Sequence, residues 1–286
     1  MWDWNSPPIA IQRIEIPNQH FMRGQPTNCY VLGREELVVV DPGDTPGADL
    51  VLEHLANRGN RPVEAIFLTH AHPDHAPAAS VLRQTLGVPV MLHPDNDPIM
   101  REHISWSDID IEINPDQPLH VDGLAFSLVM TPGHAPGHVA LFHEPTRIML
   151  AGDLVSGNGT IGVFPPHGSM SAYIQSLELA RRMQPAFLLP GHGPVIDEPD
   201  ELFDHYLKRR QDREVQILDL VRSGNRTIDE FRAVLYPDLD PQLSYAADST
   251  IRAHLIKLFE DGRVTPESDD VMTSDWDLAA EHHITD

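Results

Sequence analysis

Three histidines and one aspartate fall within the six positions from His70 to His75, which follow the apolar residues 65–68 after a single threonine. Imidazole nitrogens and carboxylate oxygens are the ligands that zinc and related divalent cations prefer. The apolar run has the length of a buried strand, so the donors are placed where a strand ends. We interpret this stretch as half of a two-metal site built at the edge of a sheet.

Further candidate ligands follow later predicted strands. His134 comes after a strand predicted at 124–130, Asp153 after one at 148–150, and His192 after one at 187–189, each close to a glycine. Ligand sites of α/β proteins collect at the C-terminal ends of strands, and glycine lets the backbone approach such a site closely. The sequence therefore predicts that these three side chains complete the metal site.

The remaining pattern predicts an α/β protein with partly parallel sheets, because short apolar runs alternate with helical patterns through the first two thirds of the chain. Further strands are predicted at 29–32, 37–40 and 88–92, and helices near 48–58, 76–86 and 170–183. Longer amphipathic stretches then predict helices near 200–223, 227–236 and 246–261. We therefore predict a catalytic domain at 1–199, a helical domain at 200–267, and a poorly ordered acidic tail at 268–286.

The composition limits the classes of partner that the protein is expected to bind. The 286 residues carry a formal net charge of −23, which disfavours phosphate backbones and anionic membranes over most of the surface. The single cysteine, Cys29, excludes an intramolecular disulfide and a cysteine-based zinc cluster, and we expect it to be a small core residue. No stretch has the pattern of a signal peptide or a transmembrane helix, so we expect a cytosolic protein without membrane contact.

The order His70-x-His72-x-Asp74-His75, then His134, Asp153 and His192, resembles the metallo-β-lactamase superfamily of metal-dependent hydrolases, and most closely its glyoxalase II-like branch. The resemblance implies a four-layer αββα sandwich with the metal site on one edge of the sheets. It also implies that one metal is bound by His70, His72 and His134. A second metal is then bound by Asp74, His75 and His192, and Asp153 bridges the two.

Spacing agrees with these roles, because alternate side chains of an extended loop share one direction, which suits His70 and His72. Asp74 and His75 are adjacent, and we expect them to point apart and to serve the other ion.

Two cations lower the pKa of a shared water to about neutrality, and the resulting hydroxide attacks the substrate. Asp74 is our candidate catalytic residue for orienting that nucleophile and relaying a proton. We expect two Zn²⁺ ions, with iron or manganese open.

Three more residues lie near these motifs in the sequence. His138 is predicted to hydrogen-bond a metal ligand rather than to bind metal itself. His167 lies in the glycine-rich segment after Asp153, and Tyr173 begins the next helix. For both, a substrate contact and a role without substrate stay open.

The C-terminal helices resemble the small winged-helix-like domain of the β-lactamase-like protein 2 subgroup. Thr227, with Glu230 three positions later, predicts a helix that begins with a capping box. Residues 200–286 hold 20 acidic against 10 basic residues, which argues against a nucleic-acid recognition surface. We expect this domain to close one side of the active site or to support a homodimer.

The resemblance implies hydrolysis of a thioester or related acyl substrate, a small molecule, as the first functional hypothesis. An endoribonuclease that cuts single-stranded RNA at the same metals is the alternative, which the acidic surface disfavours without excluding it. A β-lactamase and a non-enzymatic metal-binding module rank lower. Flavodiiron chemistry is disfavoured, because those members have a glutamate where this chain has His72.

Overall fold

The computed structural model describes residues 2–18, 24–103 and 109–279. The last part of the predicted tail, from residue 280 onwards, lies outside these residues. Within them, no helix is both long enough and apolar enough to cross a membrane.

Among the described residues, the first sheet contains six strands that are neighbours in chain order. These strands, β1 to β6, span Ile11–Ile16, Thr27–Leu32, Leu37–Val40, Val63–Phe67, Val90–Leu92 and Ile111–Glu112. The first three pair antiparallel, and β3 to β6 pair parallel. Strand β1 was not predicted, because only its end residues, Ile11 and Ile16, are buried and the alternation is incomplete.

The second sheet contains, within the part of the chain that the structure describes, five strands in the order β11-β10-β9-β8-β7. Strands β7 to β11 span Leu119–Val121, Leu124–Met130, Val139–His143, Ile148–Gly152 and Phe187–Pro190. Only β10 and β11 pair parallel. An antiparallel bridge between Thr27 and His192 joins the edges of the two sheets beside the predicted metal ligands.

Seven α-helices are described. Helices α1 to α7 span Gly47–Asn57, Ala78–Leu86, Asp97–His103, Met170–Arg182, Pro199–Arg222, Ile228–Leu235 and Ser244–Glu260. The six predicted helices are confirmed within a few residues at each end, whereas the short α3 was not predicted.

Alternating side chains of each sheet enter different cores, which produces the layered architecture. In β2, Val31 packs toward the core under α1 and α2, while its neighbour Leu32 packs into the core between the sheets. In β10, Leu150 faces the core between the sheets, while Met149 faces a third core with α4 and α5. The predicted four-layer αββα sandwich is therefore confirmed. Cys29 is buried in the first of these cores, as predicted.

The C-terminal helices build a fourth core of their own. The start of α5 contributes Phe203 to the third core, and its last turns contribute Ile217 and Val221 to the fourth, so one helix joins both parts. Strands β12 (Val264–Pro266) and β13 (Trp276–Leu278) pair antiparallel and complete a winged-helix-like arrangement. The domain boundary at residue 199 stays a prediction.

The chain beyond Pro266 differs from the predicted poorly ordered tail. Trp276 is fully buried in the fourth core, and its backbone N–H donates to the carbonyl of Arg226 at 3.0 Å. The acidic composition gave no indication of this strand, because a single large aromatic side chain, Trp276, supplies most of the strand's burial.

Candidate metal centre

The histidine-rich loop after β4 is compact rather than extended. The N–H groups of His75 and Ala76 both donate to the carbonyl of His72, at 3.0 and 3.1 Å, and close a turn. The expectation of an extended loop is therefore wrong beyond His72. Because of the turn, Asp74 and His75 do not diverge: the Oδ2 atom of Asp74 lies 4.0 Å from Nε2 of His75.

The first group of donors, here called the first cluster, contains His70, His72 and His134. One ring nitrogen from each lies within 4.8 Å of the other two. The Nδ1 atom of His72 and the Nε2 atom of His134 are 2.8 Å apart. The loop after β4 and the loop after β8 thus meet at this point, as the sequence predicts for strand ends.

The second cluster contains Asp74, His75 and His192, whose ligand atoms also lie within 4.8 Å of one another. The Nε2 atom of His192 is 3.3 Å from Nε2 of His75 and 3.3 Å from Oδ2 of Asp74. All three side chains are buried.

The carboxylate of Asp153 lies between the clusters. Its Oδ2 atom is 3.4 Å from Nε2 of His134 in the first cluster and 3.5 Å from Nε2 of His192 in the second. Its Oδ1 atom is 3.5 Å from Nε2 of His75. One carboxylate therefore reaches both groups of imidazoles.

Hydrogen bonds on the outer ring nitrogens orient the histidines. Nδ1–H of His134 donates to the carbonyl of Gly162 at 2.8 Å, and Nδ1–H of His192 donates to the carbonyl of Pro26 at 3.0 Å. Such bonds keep a ring proton on Nδ1, so that each Nε2 faces the cluster and offers a lone pair to a metal once its own proton is lost.

Asp41 is a functional candidate that the sequence reasoning missed. Its Oδ2 atom accepts Nδ1–H of His75 at 3.0 Å and the hydroxyl of Thr69 at 2.6 Å, while Oδ1 accepts the backbone N–H of Thr69 at 2.8 Å. Asp41 follows β3, which pairs parallel with β4, so it is at the same sheet edge as the metal ligands. An acidic residue directly after a predicted strand was the available signal.

His138 holds the backbone of Asp153. Its Nε2 atom accepts the N–H of Asp153 at 2.9 Å, so Nδ1 carries the ring proton and donates to the hydroxyl of Thr131 at 2.7 Å. Burial lowers the pKa of His138 to about 3, in keeping with a neutral ring. These contacts agree with the predicted hydrogen-bonding role.

Tyr173 and His167 differ from each other in exposure. Tyr173 is fully buried, and its hydroxyl donates to the carbonyl of Leu154 at 2.8 Å, so it offers no surface for a substrate contact. It supports the segment after Asp153 instead. His167 is half-buried in the turn 165–167, and its substrate role stays a prediction.

Glycine is needed beside the ligands because the backbone crowds them. A Cβ atom on Gly191 would lie 2.3 Å from Oδ1 of Asp153 and 2.8 Å from Cε1 of His75. A Cβ on Gly152, where φ is +48°, would lie 2.5 Å from Nε2 of His138. Side chains at either position would displace the donor groups.

The electrostatics of the two clusters differ. Burial lowers the pKa of His75, but the carboxylates of Asp153 and Asp74 outweigh it and raise that pKa to about 9. Burial also lowers the pKa of His192, but the carboxylates of Asp153 and Asp74 outweigh burial and raise that pKa to about 11. Burial and neighbouring imidazoles instead hold the pKa values of His70 and His72 well below the ordinary range.

The donor set fits two divalent cations. Among the described residues, Nε2 of His70 and Oδ1 of Asp153 are buried without a hydrogen-bond partner, although buried polar atoms are usually satisfied. His70 belongs to the first cluster and Asp153 lies between the clusters, and both atoms are chemically suited to a cation. The carboxylates of Asp41, Asp74 and Asp153 have no lysine or arginine partner among the described ion pairs. A bound cation would satisfy the unpaired atoms and offset this buried negative charge.

Comparison with known families agrees with the fold. Residues 22–192 match the metallo-beta-lactamase superfamily, and residues 227–276 match the beta-lactamase associated winged helix domain. A beta-lactamase-like protein 2 homolog of Drosophila melanogaster is 30% identical over 275 residues, covering 89% of this chain and 89% of that protein. An atrochrysone carboxyl ACP thioesterase of Aspergillus fumigatus is 29% identical over 219 residues, covering 73% of this chain and 64% of that protein.

Two solved structures are also similar. A metallo-beta-lactamase family protein of Thermus thermophilus superposes with a TM-score of 0.78 at 23% identity, covering 94% of this chain and 98% of that chain. At this identity the likeness shows the fold alone. A protein solved in a di-iron-bound form has a TM-score of 0.54 at 27% identity, covering 66% of this chain and 96% of that chain.

Proposed function

This chain belongs to the metallo-β-lactamase superfamily of metal-dependent hydrolases, and from that premise we propose that it hydrolyses a thioester or a related acyl substrate at a two-metal centre. The position of Asp153 carries the proposal. Its Oδ2 atom is within 3.5 Å of ring nitrogens from both clusters, so a single carboxylate can serve two cations. A site for one ion would not need the second group of donors.

The proposed ligands are His70, His72 and His134 for one metal and Asp74, His75 and His192 for the other, with Asp153 shared. Two bound cations would polarise the substrate oxygen and make a water nucleophilic at neutral pH. We propose two Zn²⁺ ions. Imidazole and carboxylate also suit iron and manganese, and the di-iron structural neighbour supports iron as the alternative.

Asp74 is the proposed catalytic residue. Its Oδ2 atom accepts the side-chain N–H of Asn18 at 3.2 Å, which fixes the carboxylate. We assign to Oδ2 the transfer of one proton from the attacking water to the leaving sulfur. In the balanced reaction the C–S bond breaks and a C–O bond forms to the water oxygen. One water proton ends on the thiol and the other is released from the carboxylic acid product.

The acyl substrate class is supported by the thioesterase relative, which is 29% identical. Cleavage of single-stranded RNA is the second candidate, supported by the winged-helix match at 227–276. The charge of residues 200–286, with 20 acidic against 10 basic side chains, favours the small acyl substrate. We further propose a cytosolic location and a homodimer.

A substrate panel tests this function directly. Metal-assayed protein is incubated with acyl-CoA, acyl-glutathione, a lactone, nitrocefin and single-stranded RNA. We expect hydrolysis of the thioesters, its loss in His72→Ala, and its retention in the control His120→Ala, since His120 is exposed on β7. RNA cleavage without thioester cleavage would reverse the ranking of the two candidates.

The role of Asp74 needs a separate test. Asp74→Asn keeps the shape of the side chain but removes its capacity to hold the transferred proton. We expect turnover to fall about 10²- to 10⁴-fold at full metal occupancy. The exposed Asp116→Asn is the matched control. Unchanged turnover of fully loaded Asp74→Asn would remove Asp74 from the proton transfer.

A further inference from the structure

We propose that Arg210 of α5 is a positioning residue for the first cluster: it holds the 154–163 loop, whose Gly162 carbonyl orients His134. This inference rests on the proposed role of His134 as a metal ligand. It assigns to the helix that leads into the C-terminal domain a share in building the metal centre.

The His134 ring depends on the loop. The carbonyl of Gly162 accepts Nδ1–H of His134 at 2.8 Å and so directs Nε2 toward His72. Within the described chain, residues 159–163 take part in no backbone–backbone hydrogen bond of the kind that fixes a turn or strand. The side chains of Ile161 and Val163 on either side of Gly162 are buried in the third core and hold the loop in place, but they leave the backbone carbonyls of residues 161 and 162 without a backbone partner. Support for the direction of these carbonyls therefore comes from side chains.

Arg210 supplies that support next to Gly162. Its Nη2 atom donates to the carbonyl of Ile161 at 2.6 Å, one residue before the carbonyl that binds His134. The guanidinium lies 5.2 Å from the ring centre of Tyr173, a distance at which cation and aromatic face attract each other. Tyr173 in turn holds the start of the loop through the carbonyl of Leu154.

Tyr206, one helical turn before Arg210, fixes the middle of the same loop. Its hydroxyl accepts the N–H of Ser156 at 3.0 Å and donates to the carbonyl of Gly159 at 3.0 Å. Side chains four residues apart share one helix face, so α5 presents both groups to the loop. The loop is thus fastened to α5 on both sides of Thr160.

The burial of Arg210 argues for a geometric role. The side chain is 4% exposed, and no described ion pair joins it to a carboxylate. A buried guanidinium without such a partner costs free energy, and an apolar side chain would pack at this position at lower cost. What an apolar side chain cannot supply is a rigid donor aimed at the Ile161 carbonyl.

Loss of this donor frees the carbonyl beside it and lets the His134 ring rotate. Removing a hydrogen-bonding partner of a metal ligand typically weakens metal binding by about 10- to 100-fold. We expect the effect mainly at the first cluster, because Arg210 holds the Ile161 carbonyl next to Gly162. The loop reaches the second cluster at its other end, where the N–H of Gly157 donates to the carbonyl of His192 at 2.9 Å.

The test compares Arg210→Met, Arg210→Lys and Tyr206→Phe with Arg209→Met, which alters the exposed neighbour on the same helix. Full-length proteins are titrated with Co²⁺ in competition with a chelator, recording the visible absorption bands and the melting temperature. We expect Arg210→Met to weaken one of the two Co²⁺ equivalents about 10- to 100-fold and to shift its absorption band, leaving the other unchanged. Lysine keeps the charge and should restore part of the affinity, and Tyr206→Phe should show a smaller loss at the same equivalent.

Equal Co²⁺ affinities and spectra in Arg210→Lys, Tyr206→Phe and Arg209→Met would overturn the inference while leaving the proposed function intact. A lower melting temperature with unchanged affinities would do the same, because it shows a purely structural role. The lysine and phenylalanine variants decide the matter if Arg210→Met does not fold. A wild-type protein that binds no Co²⁺, or a His134→Ala variant with wild-type affinity, would overturn the metal centre itself and this inference with it.

Discussion

Two buried histidines of this molecule each lie near a carboxylate but respond in opposite ways. In the metal centre, His75 is 3.0 Å from Oδ2 of Asp41, and surrounding carboxylates raise its pKa to about 9 against the effect of burial. In α7, His254 is 3.7 Å from Oε1 of Glu214, and burial lowers its pKa to about 4. Proximity to one carboxylate therefore does not decide the charge of a buried histidine.

The difference lies in how each group of charges is balanced. Glu214 is shared with Lys257, whose Nζ lies 3.1 Å from its second oxygen, and Arg210 and Arg213 add positive charge near His254. The three carboxylates of the metal centre have no such partner among the described ion pairs. Their described partners include His75 and His192, whose raised pKa values place protons where a bound cation would replace them. Around His254 the charges are balanced by Lys257 and the two arginines, although both ring nitrogens of His254 have no hydrogen-bond partner among the described residues, and we assign this histidine a structural role.

The largest effect is expected from Asp153→Ala, which removes the carboxylate that both clusters share. Because two-metal catalysis depends on both ions, we expect kcat/KM to fall on the order of 10³-fold or more, with loss of at least one metal equivalent. Kinetic assays and elemental analysis measure the two quantities. Asp116→Ala serves as the control on the surface. Turnover near wild type with both metals retained would contradict the shared role of Asp153.

The second prediction tests the structural character of His254. Its folded pKa of about 4 lies below the usual 6.5, so the unfolded chain binds more protons between these pH values. This contribution to stability is present above pH 6.5 and is lost as pH falls toward 4, by about 3 kcal/mol at most. We expect His254→Leu to lose less stability than wild type between pH 7 and 4.5 in urea unfolding. The exposed His205→Leu should follow wild type, and an equal loss in all three proteins would refute the assignment.

A third prediction concerns Asp41, the carboxylate that holds His75. In Asp41→Asn the remaining oxygen still accepts the N–H of Thr69, but the amide nitrogen cannot accept Nδ1–H of His75. We expect one metal equivalent to bind about 10- to 100-fold more weakly, as chelator competition would measure. Asp49→Asn, exposed in α1, is the control. Asp41→Asn and Arg210→Met should weaken different metal equivalents. If both variants weaken the same equivalent, the division into two clusters is wrong.

The candidate metal ligands and the strands that precede them were both predictable from the sequence. His134, Asp153 and His192 were identified because each follows an apolar run, and a strand end is a position that one-dimensional patterns can mark. Strand β9 was missed, although Val139–His143 is as uniformly buried as β3 and β10, which were predicted. The layered architecture came from the family resemblance, not from periodicity.

Contacts between distant segments were not predictable in the same way. Asp41 and His75 are 34 positions apart, and their hydrogen bond depends on β3 and β4 being parallel neighbours. Arg210 meets Ile161 across 49 positions, through a loop with no repeating pattern. The sequence also predicted a disordered end where Trp276 is buried, because composition cannot show a single residue docking into a core. Substrate specificity depends on loops of this kind, so it was not predictable from the sequence either.

The smallest expected effect concerns a purely local feature that the sequence did predict. Oγ1 of Thr227 accepts the N–H of Glu230 at 3.2 Å, and Oε2 of Glu230 accepts the N–H of Thr227 at 3.0 Å, which forms the predicted capping box of α6. Thr227→Ala should lower the free energy of unfolding by about 1 kcal/mol, and Thr227→Ser should keep most of it, because serine retains the hydroxyl. Urea unfolding measures both variants. Metal affinity should stay at the wild-type value in each, because α6 packs in the fourth core and none of its described contacts reaches the metal centre. A weaker metal equivalent in Thr227→Ala would show that the C-terminal domain acts on the metal centre through its whole core, and not through the face of α5 that carries Arg210 and Tyr206.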